Sequence, residues 1–192
     1  RRLDRQVILY LHGFCSSPAS WKAVLMRDEM ARRGQAAQFA CPTLSPVPLE
    51  AIAQAETVIT GSNEQVTVIG SSLGGHYATH LAEKHGLRAV LINPAVIGRL
   101  DASLFIGEHA NFHTGERFVF TEQHARDLQA MVVTHPPVER LWLLAETGDE
   151  VLDYRQAVAH YQGCRQTILS GGDHSFTQFP QFVSQIIEFA GL

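Results

Sequence analysis

The sequence predicts an α/β fold, three layers deep, around a six-stranded and mainly parallel sheet. Three observations carry that expectation. Short, almost purely apolar runs recur along the chain, at residues 7–11, 66–69, 88–92 and 141–145, and continuous runs of this length mark strands buried on both faces. Between such runs lie stretches with apolar residues at helical spacing, so strand and helix alternate as in β-α-β units. Several strands also run straight into polar, glycine-bearing loops, which in a parallel sheet share one edge.

The elements follow in order. The first strand, 7–11, leads into His12-Gly13-Phe14-Cys15-Ser16-Ser17-Pro18. A helix is expected at 19–33, with Trp21, Val24 and Leu25 on one face and Gly34 ending it. A short strand at 37–41 is closed by Pro42, and a proline-rich loop leads to a helix at 48–60 with Ile52, Ala55 and Ile59 in line. Strand 66–69 is followed by a helix that buries Tyr77, Ala78, Leu81 and Ala82. Strand 88–92 stops at Asn93-Pro94.

From 95 to 137 the pattern weakens. A short helix at 101–106 and a Thr121-capped helix reaching 133, with Ala125, Leu128 and Val132 aligned, are expected there. A weakly patterned insert after a strand reads as a lid over an active site. Strand 141–145 precedes a helix at 153–161 carrying Tyr154, Ala157, Val158 and Tyr161 on one face. Strand 166–169 precedes a loop of Ser170-Gly171-Gly172-Asp173-His174-Ser175-Phe176, and the last helix, 179–190, buries Phe179, Phe182, Val183, Ile186 and Ile187.

Composition narrows the function classes. The 192 residues, 45% hydrophobic, suit one domain with a full core. Nineteen acids against fifteen bases give a net charge of −4 without a basic stripe, which argues against a nucleic-acid partner. Cys15, Cys41 and Cys164 are odd in number and widely spaced, and read as reduced thiols of a cytoplasmic protein. After the charged start, Arg1-Arg2-Leu3-Asp4-Arg5, the apolar run at 7–11 is too short for a signal peptide or a membrane span.

The stretch with most chemistry is Gly70-Ser71-Ser72-Leu73-Gly74, which fits G-x-S-x-G after a strand and before a helix. That pattern is a nucleophile elbow, a sharp turn that exposes a serine hydroxyl at a helix N-terminus. Gly70 and Gly74 supply positions without Cβ where the turn crowds its neighbours. A Walker loop is excluded because no Gly-Lys-Ser/Thr follows, and a Rossmann loop because position 72 is Ser. A serine hydroxyl needs a base, and the base an orienting acid. His174 follows the sixth strand in a glycine-rich loop, and Asp149 follows the fifth. Asp153 competes with Asp149 but sits where a helix cap belongs, and Asp173 adjoins His174 too closely to turn onto its ring. The oxyanion donors expected are the backbone N–H of Leu73, next after the serine, and that of Phe14 in the first loop.

These residues carry a family resemblance. Tyr10-Leu11-His12-Gly13-Phe14 with Ser16-Ser17-Pro18, Gly70 to Gly75, Asn93-Pro94-Ala95-Val96, residues 147–158 and Gly171 to Phe176 together resemble the α/β-hydrolases, and more closely the YqiA-type small bacterial esterases. The resemblance spans nearly the whole chain and is weakest at 95–137. It implies a Ser72, Asp149, His174 triad, hydrolysis of acyl esters with acyl thioesters left open as an extension, and no cofactor.

Other residues read more plainly. His12 is expected to be structural and Cys15 a pocket-lining thiol. His76 and His80, and His109 and His113, have the spacing of paired zinc ligands, but Tyr77 stands where HExxH needs Glu, so no metal site is assigned. Phe105, Phe112, Phe118 and Phe120 either line an acyl pocket or anchor the insert. Two rival functions stay open: a catalytically silent hydrolase fold used for binding, and an amidase or peptidase on the same triad. Oligomeric state is not legible.

Overall fold

The computed structural model describes residues 5–192; the charged start from Arg1 to Asp4 lies outside them. The chain begins with β1 (Gln6–Leu11), α1 (Trp21–Arg32), β2 (Phe39–Ala40) and α2 (Pro48–Gly61). It continues with β3 (Gln65–Ser71), α3 (Leu73–His85) and β4 (Arg88–Ile92). The insert holds β5 (Gly107–Ala110), β6 (Arg117–Phe120) and α4 (Glu122–Ala130). The chain closes with β7 (Leu141–Glu146), α5 (Tyr154–His160), β8 (Arg165–Leu169) and α6 (Val183–Phe189).

Six strands form one sheet in the order β2-β1-β3-β4-β7-β8, and every pairing in it is parallel. Successive side chains of a strand point to opposite faces. Ile8, Tyr10, Ile69, Val90 and Trp142 therefore meet α1 and α6 on one face. Leu9, Leu11, Val68, Leu91 and Leu143 meet α2, α3, α4 and α5 on the other. Full burial of a Leu or Ile is worth about 1.5–3 kcal/mol, so these two apolar layers hold the helices to the sheet. Leu11 pairs with Gly70 and Ser71 with Ile92, which brings the carboxyl ends of β1, β3 and β4 level. Among the described residues no helix is long and apolar enough to cross a membrane.

Four expectations need correction. The buried face of α1 is Lys22, Ala23, Met26 and Met30, while Trp21 is exposed and Val24 and Leu25 are half-buried. The pattern misled because Lys22 counts as outward in any hydropathy reading, yet its stem packs inward and its ammonium reaches a carbonyl. The insert contains an antiparallel hairpin, β5 with β6, that the sequence does not announce. Its first strand is Gly-Glu-His-Ala, four residues of little strand preference. The Thr121 helix stops at Ala130, short of 133, but its cap is real: Thr121 Oγ1 accepts from the His124 N–H and His124 Nδ1 from the Thr121 N–H. Finally, the last helix opens as a 3-10 turn over Phe179–Phe182 before α6.

Candidate active site

The elbow is strained as its sequence requires. Ser72 sits at φ 57° and ψ −119°, between the end of β3 and the start of α3. Three backbone bonds pin it: its N–H donates to Ile92 O, and its carbonyl accepts from the N–H groups of Gly75 and Ala95. A Cβ on Gly70 would overlap the Gly74 carbonyl, and one on Gly74 would overlap the Leu11 carbonyl. Only glycine lets β1, β3 and α3 approach this closely.

Ser72, His174 and Asp149 come together at this edge. His174 Nε2 lies 3.0 Å from Ser72 Oγ. On the other side of the ring, Nδ1 lies 2.9 and 3.0 Å from the two Asp149 oxygens. A carboxylate only accepts, so Nδ1 carries the proton and Nε2 presents its lone pair to the serine hydroxyl. The Asp149 side chain is 2% exposed, and its Oδ1 also accepts from the N–H groups of Val151 and Leu152. Asp153 instead caps α5 and pairs with Arg155. Asp173 accepts from the Ser175 N–H and hydroxyl, which hold its carboxyl below the usual carboxylate value.

The loop bearing His174 is fastened from three other elements, by residues that sequence reasoning passed over. Asn93, at φ 39° after β4, donates from Nδ2 to the carbonyls of Asp173 and His174 and accepts the Glu146 N–H on Oδ1. Glu146, fully buried at the end of β7, accepts from Thr177 Oγ1 and the Gln178 N–H. Lys22 of α1 donates to Ser175 O at 2.7 Å. Burial lowers the Lys22 ammonium to about 8, opposed by Asp173 and Glu146. An Asn-Pro pair ending a strand was the one signal available in the sequence.

The first loop abuts the serine. A Cβ on Gly13 would lie 3.3 Å from Ser72 Cβ. The Leu44 N–H donates to His12 Nε2, so His12 carries its proton on Nδ1, which donates to Gly13 O at 3.0 Å. Burial lowers the His12 pKa, in keeping with a neutral, structural ring. Cys15 is half-buried, and burial raises its thiol pKa. The hairpin seats on this loop: the Phe112 N–H donates to Cys15 O and Asn111 Nδ2 to Ser16 O. The Phe14 ring meets Phe105, His109, Phe118 and Phe120 edge-on, with centroids 4.8–5.6 Å apart. Phe105, Phe118 and Phe120 thus anchor the insert, whereas Phe112 is exposed.

A cavity of about 280 Å³ opens against Gly13 and Leu73, which flank the serine, and is walled also by Phe14, Leu44, Tyr77 and Phe118 among others; Ser72 itself is not part of its wall. Of the paired histidines, His76 is buried with Nε2 donating to Leu128 O, and burial lowers its pKa to about 4. Among the described residues no group of three or more His, Cys, Asp or Glu is placed to share a metal ion.

A family model described as "Uncharacterised protein family (UPF0227)" matches residues 7–191. The chain belongs to that family. UPF0227 is the YqiA-type family that the motifs resemble. Solved structures similar to this UPF0227 chain share its fold. A putative hydrolase from Agrobacterium vitis S4 is 21% identical, with 97% of this chain and 88% of that one covered at a TM-score of 0.76. Alpha/beta hydrolase domain-containing protein 10 from mouse is 16% identical, with 96% and 89% covered at 0.71. Est1E from Butyrivibrio proteoclasticus is 14% identical, with 100% and 91% covered at 0.70. This UPF0227 member therefore has the α/β-hydrolase fold.

Proposed function

We propose that this protein is a serine hydrolase that cleaves small acyl esters, thioesters included, through an acyl-enzyme. The observation that carries the reading is the unbroken path from Ser72 Oγ to His174 Nε2 at 3.0 Å and from His174 Nδ1 to Asp149 at 2.9 Å. His174 takes the Ser72 proton as the hydroxyl attacks the acyl carbonyl. Asp149 holds the ring and stabilises its cation. The N–H groups of Leu73 and Phe14 receive the oxyanion. Leu73 opens α3, where an N–H has no partner within the helix. The Gly13 carbonyl accepts from His12 Nδ1 and the Ser16 N–H, and a trans peptide then turns the Phe14 N–H the opposite way. His174 gives its proton to the leaving alcohol or thiol, then activates water to release the acid.

A small acyl group suits the cavity of about 280 Å³. Est1E, which shares the fold, has also been solved with ferulic acid bound, a small organic acid. The test is intact mass after treatment with a fluorophosphonate. Wild type is expected to gain one adduct and Ser72→Ala none, with the variant still folded. Absence of an adduct on wild type would instead favour a binding role. Rates on matched ester, thioester and amide substrates then separate an esterase from an amidase.

A further inference from the structure

Tyr77 lies on α3 five residues after Ser72 and is 4% exposed. Among the described residues nothing donates to or accepts from its phenol, and burial alone raises its pKa. The other core tyrosines differ. Tyr161 shares a 2.8 Å hydrogen bond with Thr79 Oγ1, and the Tyr10 hydroxyl is sealed inside the core. The Tyr77 hydroxyl is not sealed, and Tyr77 is part of the wall of the cavity that opens against Gly13 and Leu73. A phenol this buried ordinarily has a partner. Here the partner must come from whatever fills the cavity.

The rest of the wall sharpens the chemistry. The Gln54 amide is spent on the Ser45 N–H and the Thr43 carbonyl. The Asn111 amide is spent on Ser16 O and the N–H groups of His113 and Thr114. The wall includes one carboxylate, Glu116, and no lysine or arginine, so it does not suit an anion. It includes Leu73 and Phe14 but no residue of the His174 loop. The leaving group must face His174, so the cavity takes the acyl side. Side chains on a helix lean toward its N-terminus. The Tyr77 phenol therefore leans back over Leu73, four residues earlier and next to Ser72, across about 6 Å of helix rise.

We propose that Tyr77 selects the acyl group, and that the acyl chain this site prefers bears an uncharged oxygen function, a ketone, hydroxyl or ether, that accepts the Tyr77 hydrogen bond. This rests on Ser72 being the nucleophile. The test compares kcat/KM on 4-nitrophenyl pentanoate and 4-oxopentanoate, on the hexanoate and 5-oxohexanoate, and on the monosuccinate, for wild type and Tyr77→Phe. Wild type is expected to favour at least one oxo ester over its plain counterpart by about tenfold or more. Tyr77→Phe is expected to bring that ratio to about one, at an unchanged melting temperature, since the hydroxyl has no partner in the protein. A ratio near one in wild type, a preference that survives in Tyr77→Phe, or a preference for the succinyl ester overturns the proposal. If fluorophosphonate still labels Ser72, the acyl assignment falls alone. If wild type turns over none of these esters and takes no label, the nucleophile reading falls and this inference with it.

Discussion

Among the described residues, Cys15, Ser72, Asn93 and Phe176 are the non-glycine residues with positive φ, and all four lie in segments that follow strands of the parallel sheet, β1, β3, β4 and β8. The insert has none, and leaves its left-handed positions to Gly107 and Gly115. The two regions are also fastened differently. At the carboxyl edge of the sheet, Asn93, Glu146 and Lys22 tie loops together through hydrogen bonds that are partly or fully buried. The insert holds to the first loop through aromatic contacts around Phe14 together with hydrogen bonds from Phe112 and Asn111 to loop carbonyls. Each strained residue costs about 1–3 kcal/mol and persists only where its surroundings overdetermine it. The edge has spent stability on geometry, and the insert has not.

Substitutions can break that contrast, starting with the strongest. Asp149→Asn should lower kcat by about 10⁴ while the fold survives, since the wrong ring tautomer is then favoured. Asp153→Asn should leave kcat close to wild type. Steady-state rates on one ester check both.

The seam between the regions, His76 to Leu128, should show in the pH dependence of stability. His76 titrates at about 4 in the fold against an ordinary 6.5. The unfolded chain thus binds more protons between those values, and stability falls as pH drops through that window, by about 3 kcal/mol. His76→Gln, which keeps a donor for Leu128 without titrating, should flatten the fall measured by urea melts at pH 7 and pH 4.

Asn93→Ala removes three hydrogen bonds and leaves buried partners unpaired, at a cost of about 2–3 kcal/mol. Because those bonds hold the His174 backbone, kcat should drop as well, by about tenfold or more. Phe118→Ala in the insert, at a half-buried ring, should cost about 1–2 kcal/mol, less than full burial would give. A melt and a rate for each variant decide whether edge and insert differ as described.

Much of this was legible in the sequence, for identifiable reasons. Strands buried on both faces leave continuous apolar runs, so β1, β3, β4 and β7 could be read within a residue or two. That Ser72, Asp149 and His174 meet followed from glycine spacing and from each residue following its own strand. Asn93, Glu146 and Lys22 were not legible as a set. Asn93 and the His174 carbonyl it holds lie 81 positions apart, and Lys22 and Ser175 lie 153 apart. No local pattern records such partnerships. The hairpin escaped for the opposite reason, because its short strands contain too little local preference to separate strand from loop.

Phe14 follows Gly13, which abuts Ser72, and has its ring among those of the insert. The insert is accordingly no interchangeable cover. A replacement drawn from another chain would need rings where Phe105, Phe118 and Phe120 now stand, or the first loop would lose its seat. Selection for a new shape of this segment is then selection on the loop next to Ser72 too, and the two are bound to evolve together.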